Sequence, residues 1–274
     1  MLDTDEKTIT EAVLRAGTHG SDQRFRTVLD AVVRHLHELV REVSLTESEW
    51  AAAIGFLTRT GQLCTPERQE FILLSDVLGV TMLVDAVAHR RSRTATENSV
   101  LGPFYRSNRP SFDDGADISA GLPGTPLSVH LTVVDTDGVP VPGAAVDVWH
   151  ADGDGHYDSD IPGIESAAMR GLFHTSAEGR ASFSTISPAP YPIPDDGPVG
   201  ALMRASGRSV MRPGHLHVRI GAPGFAPLTT MLFREDDPYL DSDPVFGVKA
   251  SLLTRYESHG DGETLRHTFV LDRE

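Results

Sequence analysis

The chain has 274 residues, of which 39% are hydrophobic, and a formal net charge of −15 at pH 7. This length is ample for a buried core in one large domain or two small ones. The acidic excess disfavours nucleic acid and anionic membrane surfaces as partners, because both reward clustered Lys and Arg. No apolar run is long enough to span a bilayer, the N-terminus lacks a signal-peptide pattern, and the single cysteine, Cys64, suits a reducing compartment. We therefore expect a cytoplasmic protein.

Proline and glycine divide the sequence into two parts. Only Pro66 of the 18 prolines precedes residue 103, and 19 of the 25 glycines lie beyond residue 102. Because both residues interrupt helices and mark turns, this distribution predicts helices first and strands afterwards. We expect an α+β fold with a helical region at 1–102 and an antiparallel β-sandwich at 103–274.

Three features of the first hundred residues predict helices. Apolar residues recur every three or four positions from Phe25 to Val40, as in an amphipathic helix. Thr46 and Glu49 form a capping box that begins the next helix. The pair Thr65-Pro66 predicts the start of one further helix that continues to Val84.

Alternating β-branched residues indicate strands in the second part of the chain. The pair Asp137-Gly138 predicts a turn after the first strand, and Glu178-Gly179 predicts a hairpin. Another strand is expected at HLHVRIG, which contains two histidines.

His215 and His217 are separated by one residue, so on a strand both imidazoles leave the same face and can share a metal ion. The pair alone is a weak signal, since such histidines also line polar sheet faces. Upstream, Tyr157 and Tyr191 lie in stretches rich in Gly, Pro and Asp that predict loops. A tyrosine ligand must be deprotonated by a strongly Lewis-acidic ion, so two Tyr and two His favour ferric iron over zinc or ferrous iron.

Four sequence stretches, WHADGDGHY, PYPIPDDGPVG, RPGHLHV and YLDSDPVFGVK, resemble the intradiol ring-cleavage dioxygenases, and within that family the hydroxyquinol branch. The resemblance implies one Fe(III) per subunit with Tyr157, Tyr191, His215 and His217 as metal ligands. It implies that Tyr191 is released to act as a base and that Arg212 is catalytic and contacts the substrate. The activity implied is the cleavage of a 1,2-dihydroxybenzene by O2. The substrate implied is hydroxyquinol, which gives 3-hydroxy-cis,cis-muconate, with catechol or chlorocatechol as alternatives.

The same resemblance assigns a substrate pocket and an oligomeric state. Its substrate-binding residues are Leu73, Asp76, Val100, Gly102, Pro103, Phe104, Ile193, Pro194, Arg212 and Val245. The wide apolar stripe of the Phe25 to Val40 helix predicts a homodimer through the N-terminal helices. The family likeness adds a lipid held between the subunits.

Two other functions stay open from the residues alone. A ferrous centre of two histidines and one carboxylate could use one of Asp152, Asp154, Asp158 and Asp160. A non-catalytic β-sandwich module could bind calcium at the acidic turns DTDG and DGDG, although the second lacks the spacing of an EF-hand loop.

Overall fold

The computed structural model describes residues 4–17, 22–66, 68–92, 94–164 and 167–274, which fall into two compact units, Met1–Gln62 and Leu63–Glu274. The first unit contains helices α1 (Ile9–Ala16), α2 (Gln23–Glu42) and α3 (Glu47–Gln62). The second begins with α4 (Glu70–Val77) and α5 (Val80–Ala88) and continues into β-structure. The α+β order is confirmed. The helical region predicted at 1–102 extends beyond the first compact unit, because α4 and α5 belong to the second.

The amphipathic pattern of α2 is confirmed, and its apolar stripe is exposed. Phe25 and Leu36 are 65% and 56% accessible to solvent. A different face of α2 binds α1, where His37 Nδ1 lies 2.9 Å from Thr10 Oγ1 and Arg41 donates to the same hydroxyl at 2.7 Å. Among the residues that the structure describes, the apolar side chains of the stripe are thus left exposed. Its other exposed members are Val28, Leu29, Val32, Leu39 and Val40.

The capping box ahead of α3 is also confirmed. The backbone N–H of Thr46 donates to the Glu49 carboxylate at 2.9 Å, and the N–H of Glu49 donates back to Thr46 Oγ1 at 3.3 Å. These two bonds satisfy donors that a helix start would otherwise leave without acceptors.

The single helix predicted from Pro66 to Val84 is wrong in two respects. The helix begins only at Glu70, and it breaks between α4 and α5, whose axes differ by 77°. Gly79 stands at the break with φ of +72°, a left-handed conformation that glycine adopts without steric cost. Among the described residues no single helix is long and apolar enough to cross a membrane, and the bent pair α4–α5 meets that criterion only by length and composition.

Beyond α5, the second unit continues as a β-sandwich with an inserted helix. In chain order its elements are β1 (Pro126–Asp135), β2 (Ala145–His150), β3 (Arg170–His174), β4 (Arg180–Ile186), β5 (Tyr191–Pro192), α6 (Pro198–Ala205), β6 (Met211–Arg212), β7 (His215–Gly221), β8 (Leu228–Arg234), β9 (Leu253–Thr254), β10 (Tyr256–His259) and β11 (Gly262–Leu271). Within the described ranges, one sheet has the order β10-β11-β1-β4 and the facing sheet the order β3-β2-β7-β8-β9, while β5 and β6 form a separate ribbon.

The inward side chains of both sheets form one apolar core. Val129 on β1, Val148 on β2 and Val218 on β7 are fully buried in it, as the alternation of strand side chains requires. Most strand pairs are antiparallel, as predicted, but β1–β11 and β8–β9 are parallel. The long connection between β1 and β11 allows this, because only tight turns force neighbouring strands to be antiparallel.

The hairpin predicted at Glu178-Gly179 is wrong, although the turn itself forms. The N–H of Gly179 donates to the carbonyl of Ser176 at 3.0 Å. The strands on either side, β3 and β4, then enter different sheets. Phe173 and Phe183 consequently stack across the sandwich core with ring centroids 5.0 Å apart. A turn signal specifies the local reversal of the chain and leaves open which sheet each strand joins.

Glu70, at the start of α4, is fully buried and joins this helix to α6. Its Oε1 accepts a hydrogen bond at 3.1 Å from the N–H of Val199, in the first turn of α6, and its Oε2 accepts from Arg68 Nη2 at 3.0 Å. Gly197, the N-cap of α6, has no side chain to cap the helix, and a Cβ there would collide with Glu70 Oε1. A carboxylate from another helix thus replaces the usual cap.

Replacing Glu70 with Ala should lower the free energy of unfolding by about 1–3 kcal/mol, because the buried N–H of Val199 loses its acceptor and Arg68 keeps only Asp196 as a carboxylate partner. Urea denaturation followed by circular dichroism measures this change. Asp241→Ala, the loss of an exposed acid in the same unit, is the control and should change stability by less than about 0.5 kcal/mol. Equal stability of the two variants would contradict the role of Glu70.

Candidate metal centre and substrate pocket

Strand β7 brings His215 and His217 together. Both side chains leave the same face of the strand, both residues are at most 1% exposed, and their Nε2 atoms lie 3.1 Å apart. The flanking strands β2 and β8 pair with β7 on both sides and fix its backbone. The indole ring of Trp149 on β2 stacks on His217 with centroids 4.7 Å apart and an interplanar angle of 9°.

The hydrogen bond of His215 to the backbone determines its tautomer. Nδ1 lies 2.7 Å from the carbonyl oxygen of Pro213, which can only accept, so Nδ1 carries the proton and Nε2 presents a lone pair. Burial, and secondarily the nearby Arg212 guanidinium, lowers the pKa of His215 well below its ordinary value. Burial also lowers the pKa of His217. Both imidazoles are therefore neutral, as metal ligands must be.

Tyr157 and Tyr191 complete a group of four donor atoms. Tyr157 lies in the loop between β2 and β3, and Tyr191 begins β5. Their Oη atoms are 3.4 Å apart, and Tyr191 Oη is 3.4 Å from His215 Nε2. Gly155 permits the close approach of the two segments, since a Cβ there would lie only 2.7 Å from Tyr191 Cβ.

The spacing of the four donors fits a single metal ion. Donors bound at about 2.0–2.1 Å are separated by about 2.9 Å at a right angle and about 3.4 Å at a tetrahedral angle. The measured separations of 3.1–3.4 Å lie within this interval. Burial raises the pKa of Tyr157 well above its ordinary value, so this phenol ionises only if a cation compensates its charge. Two phenols with two imidazoles suit a hard trivalent ion.

Arg212 lies beside the donor group. It is 3% exposed, its Nε donates to Asp243 Oδ1 at 3.0 Å, and its Nη1 lies 3.4 Å from Tyr191 Oη and 3.2 Å from His215 Nε2. Asp243 is itself held, because its Oδ2 accepts from the N–H of Gly247 at 2.8 Å. The ion pair aims one guanidinium nitrogen at the site.

A cavity of about 380 Å³ opens onto these side chains. All the substrate-binding residues predicted from the sequence line it, namely Leu73, Asp76, Val100, Gly102, Pro103, Phe104, Ile193, Pro194, Arg212 and Val245. Its walls also include Tyr157 and Tyr191. The structure thus brings α4, the connector after α5, β5 and the segment after β8 around one space.

Asp76 is a partly buried carboxylate in the cavity wall. Burial raises its pKa above the ordinary value, while a hydrogen bond to Thr81 and the charge of Arg212 oppose that shift. A carboxyl group in a mostly apolar wall can bind a polar substituent of a ligand.

Sequence reasoning missed part of this environment. The cavity is also lined by Asp154, Gly155, His156, Asp160, Pro192, Asp195 and Asp196. Trp149 and Asp243 lie within the quoted motifs, but their contacts with His217 and Arg212 have no sequence signal. The buried ion pair of Asp158 with Arg170 also has no sequence signal, because the two residues lie on different segments of the chain.

Some of the carboxylates that could have served the alternative functions are engaged elsewhere, whereas Asp154 and Asp160 line the cavity. Asp158 is paired with Arg170. Asp152 Oδ1 accepts from the N–H groups of Asp154 and His156, and in the DTDG turn Asp135 Oδ1 accepts from the N–H groups of Asp137 and Val139. In the described part of the chain, no group of three or more His, Cys, Asp or Glu is arranged to hold a metal. The oxygen atom found beside His215 Nε2 is instead the hydroxyl of Tyr191.

Comparison with known proteins agrees with this geometry. Two family models match the chain, one described as "Dioxygenase" over residues 100–273 and one as "Catechol dioxygenase N terminus" over residues 22–96. The chain is 46% identical over 273 residues to the 6-chlorohydroxyquinol 1,2-dioxygenase of Cupriavidus pinatubonensis, covering 99% of each chain. It is 47% identical over 282 residues to the hydroxyquinol 1,2-dioxygenase of a Rhizobium species, covering 98% of this chain and 96% of the relative.

A solved structure has the same fold. The hydroxyquinol 1,2-dioxygenase of Pseudomonas putida DLL-E4 superimposes with a TM-score of 0.94 at 42% identity, covering 98% of this chain and 99% of the other. Both the family models and the relatives extend over the helical and the sheet-rich parts. The chain therefore belongs to the intradiol ring-cleavage dioxygenases, a family of enzymes that use non-haem iron.

Proposed function

We propose that this enzyme cleaves hydroxyquinol between its two adjacent hydroxyl-bearing carbons, giving 3-hydroxy-cis,cis-muconate. Both atoms of O2 enter the product, and each subunit holds one Fe(III). The observation that carries the proposal is a single cavity lined by Tyr157, Tyr191 and Arg212 and also by the carboxyl group of Asp76. The names of the two relatives and of the solved structure, each an enzyme for hydroxyquinol or its chlorinated form, support the same substrate.

The ligands we assign to Fe(III) are Tyr157, Tyr191, His215 and His217. Two phenolates and two neutral imidazoles offset two of its three positive charges, which leaves a single charge in a buried site. Bound there, Fe(III) would supply Lewis acidity to a chelated diol and the redox chemistry that makes the ring reactive toward O2.

Tyr191 is the residue we assign as the base. Its hydroxyl lies 3.4 Å from Arg212 Nη1, a cationic donor that can stabilise the phenolate when substrate takes its place. The phenolate oxygen can then accept a proton from one diol hydroxyl, and a hydroxide ion in the site would accept the proton of the other. The diol dianion thus replaces two negative charges, those of the phenolate and of the hydroxide.

Arg212 is the residue we assign to transition-state stabilisation. The pair with Asp243 holds the guanidinium before substrate arrives, so little reorganisation is needed when negative charge develops on the substrate. The neutral wall residues, among them Leu73, Ile193 and Val245, exclude water around that charge.

Asp76 is the residue we assign to recognition of the third ring hydroxyl. A hydroxyl that enters a mostly apolar pocket without a partner costs about 1–3 kcal/mol in lost hydration. Asp76 lies in the cavity wall and can accept that hydrogen bond directly or through a water. Catechol lacks this hydroxyl and gains nothing from the contact.

We also propose a homodimer joined through the N-terminal helices. The exposed apolar stripe of α2 exceeds what isolated surface residues explain, and such a surface is typical of an interface. A lipid between the subunits, which the family likeness implies, would occupy the same apolar surface.

Tyr157→Phe and His217→Ala should each lose most of the bound iron or its visible absorption, because each removes one of four protein ligands. Iron analysis and absorption spectroscopy of the purified variants measure this. Tyr256→Phe is the matched control, since Tyr256 is another buried tyrosine, located on β10 of the opposite sheet, and should keep iron and colour. Full iron and colour in either ligand variant would refute the four-ligand assignment.

Asp76→Ala should lower kcat/KM for hydroxyquinol relative to catechol by about tenfold, which corresponds to about 1.4 kcal/mol of lost discrimination. Oxygen uptake with both diols measures the ratio, at equal iron content. Asp76→Asn keeps an acceptor oxygen and should lose less. An unchanged ratio would remove Asp76 from substrate recognition, and a parent enzyme that prefers catechol would move the chain to the catechol branch.

Leu36→Glu should convert the dimer to a monomer, because it buries a charge in the proposed interface. Light scattering at micromolar concentration measures the mass. Thr27→Glu adds the same charge on the opposite face of α2, so it is the matched control and should remain dimeric. A parent protein that is already monomeric would contradict the proposal.

A further inference from the structure

Three segments of the chain meet behind Tyr157 at one buried arginine. Arg170, the first residue of β3, donates from Nε to Asp158 Oδ2 at 2.6 Å and from Nη2 to Asp158 Oδ1. Its remaining terminal nitrogen, Nη1, donates to the backbone carbonyl of Phe104 at 3.1 Å. Arg170 and Asp158 are 3% and 5% exposed. The guanidinium thus ties the loop of Tyr157 and the connector of Phe104 to the sandwich.

Both tied segments act directly on Tyr157. Asp158 follows Tyr157 in the chain, so its ion pair restrains the tyrosine backbone. The ring of Phe104 stacks on the ring of Tyr157 with centroids 4.0 Å apart and an interplanar angle of 11°. The phenol is therefore restrained from its backbone and from its ring face, and it is only 1% exposed.

Tyr191 is held differently. It lies on the two-residue strand β5, paired only with β6, and Phe104 meets its ring edge-on at a centroid distance of 6.4 Å. Its hydroxyl has Arg212 Nη1 beside it at 3.4 Å, whereas the hydrogen-bond neighbour found for the Tyr157 hydroxyl within the described residues is Tyr191 itself. Among the described residues, a phenolate released from the metal would find a cationic hydrogen-bond donor beside Tyr191 and none within hydrogen-bond distance of the Tyr157 hydroxyl.

We propose that Arg170 and Asp158 are positioning residues that keep Tyr157 on the metal and so determine which tyrosinate gives way to the diol. The inference rests on the proposed iron site and assigns a reason for the unequal behaviour of its two tyrosines. Arg170 and Asp158 would thus act on the reaction through Tyr157, and neither residue would contact the substrate. Outer partners that orient a metal ligand typically change metal affinity by about 10–100-fold when they are lost.

Arg170→Lys is the informative variant. Lysine keeps the positive charge next to Asp158, so no buried carboxylate is left alone, but it cannot make the two parallel bonds and also reach the Phe104 carbonyl. Asp158→Asn tests the same contact from the other partner. Arg234→Lys is the matched control, because Arg234 makes a comparable fork with Glu263 at 2.9 Å and 2.5 Å. This fork joins β8 to β11, and among the described residues it has no hydrogen bond to Tyr157 or to Phe104.

The experiment measures resonance Raman and visible absorption of the ferric enzymes, before and after catechol is added without O2. A Tyr191→Phe sample identifies the tyrosinate signal of Tyr157. In the parent and in Arg234→Lys this signal should persist after catechol binds. In Arg170→Lys it should weaken in the catechol complex, and iron should pass to a strong chelator about tenfold faster or more.

An unchanged Tyr157 signal and chelation rate in Arg170→Lys would overturn the inference while leaving the iron assignment intact. A parent enzyme without iron or a tyrosinate signal would instead overturn the proposed function. If Arg170→Lys does not fold, Phe104→Leu removes the ring stack while the ion pair remains. The same weakening is then expected, and its absence would count equally against the inference.

Discussion

The structure depends on the convergence of four buried donor atoms on one point. The oxygens of Tyr157 and Tyr191 and the Nε2 atoms of His215 and His217 lie within 3.1–3.4 Å of their neighbours, and all four residues are buried. Burying polar atoms this close together is unfavourable unless a cation compensates their lone pairs and charge. The surrounding elements can be understood as the means of holding this group in place: paired strands fix the histidines, and tied loops fix the tyrosines.

The histidines and the tyrosines are held in place in different ways. A strand paired on both sides, as β7 is, leaves its side chains few alternative positions, which suits ligands that stay bound. Loops have no ladder of backbone hydrogen bonds and need side-chain anchors, and Arg170 with Asp158 provides one for Tyr157. Tyr191 is held by the two-residue strand β5, which pairs with β6, and its hydroxyl has the cationic Arg212 beside it. The asymmetry between the tyrosines therefore arises from their supports.

The cavity is a joint product of helices and sandwich within the second unit. Helix α4 contributes Leu73 and Asp76, and the segment after β5 contributes Ile193 and Pro194. Glu70 connects these walls, because the same helix that carries Asp76 also caps α6 just beyond that segment. The position of the Asp76 carboxyl on α4 and the position of the segment after β5 are thus linked through Glu70, a buried carboxylate that does not line the cavity.

Local pattern by itself determined much of this protein. The stripe from Phe25 to Val40, the Thr46 capping box and the same-face histidines of β7 all depend on contacts a few residues apart, which periodicity specifies directly. The four quoted motifs, through family likeness, pointed to the donor set and the pocket residues that the structure brings together. Only the tertiary structure decided the break at Gly79, the separation of β3 and β4 into two sheets, and the partners of Glu70, Arg170 and Arg212. The long-range partners of Glu70, Arg170 and Arg212 are residues 12 to 129 positions away in the sequence. A pairing across such distances leaves no local pattern from which it could be inferred.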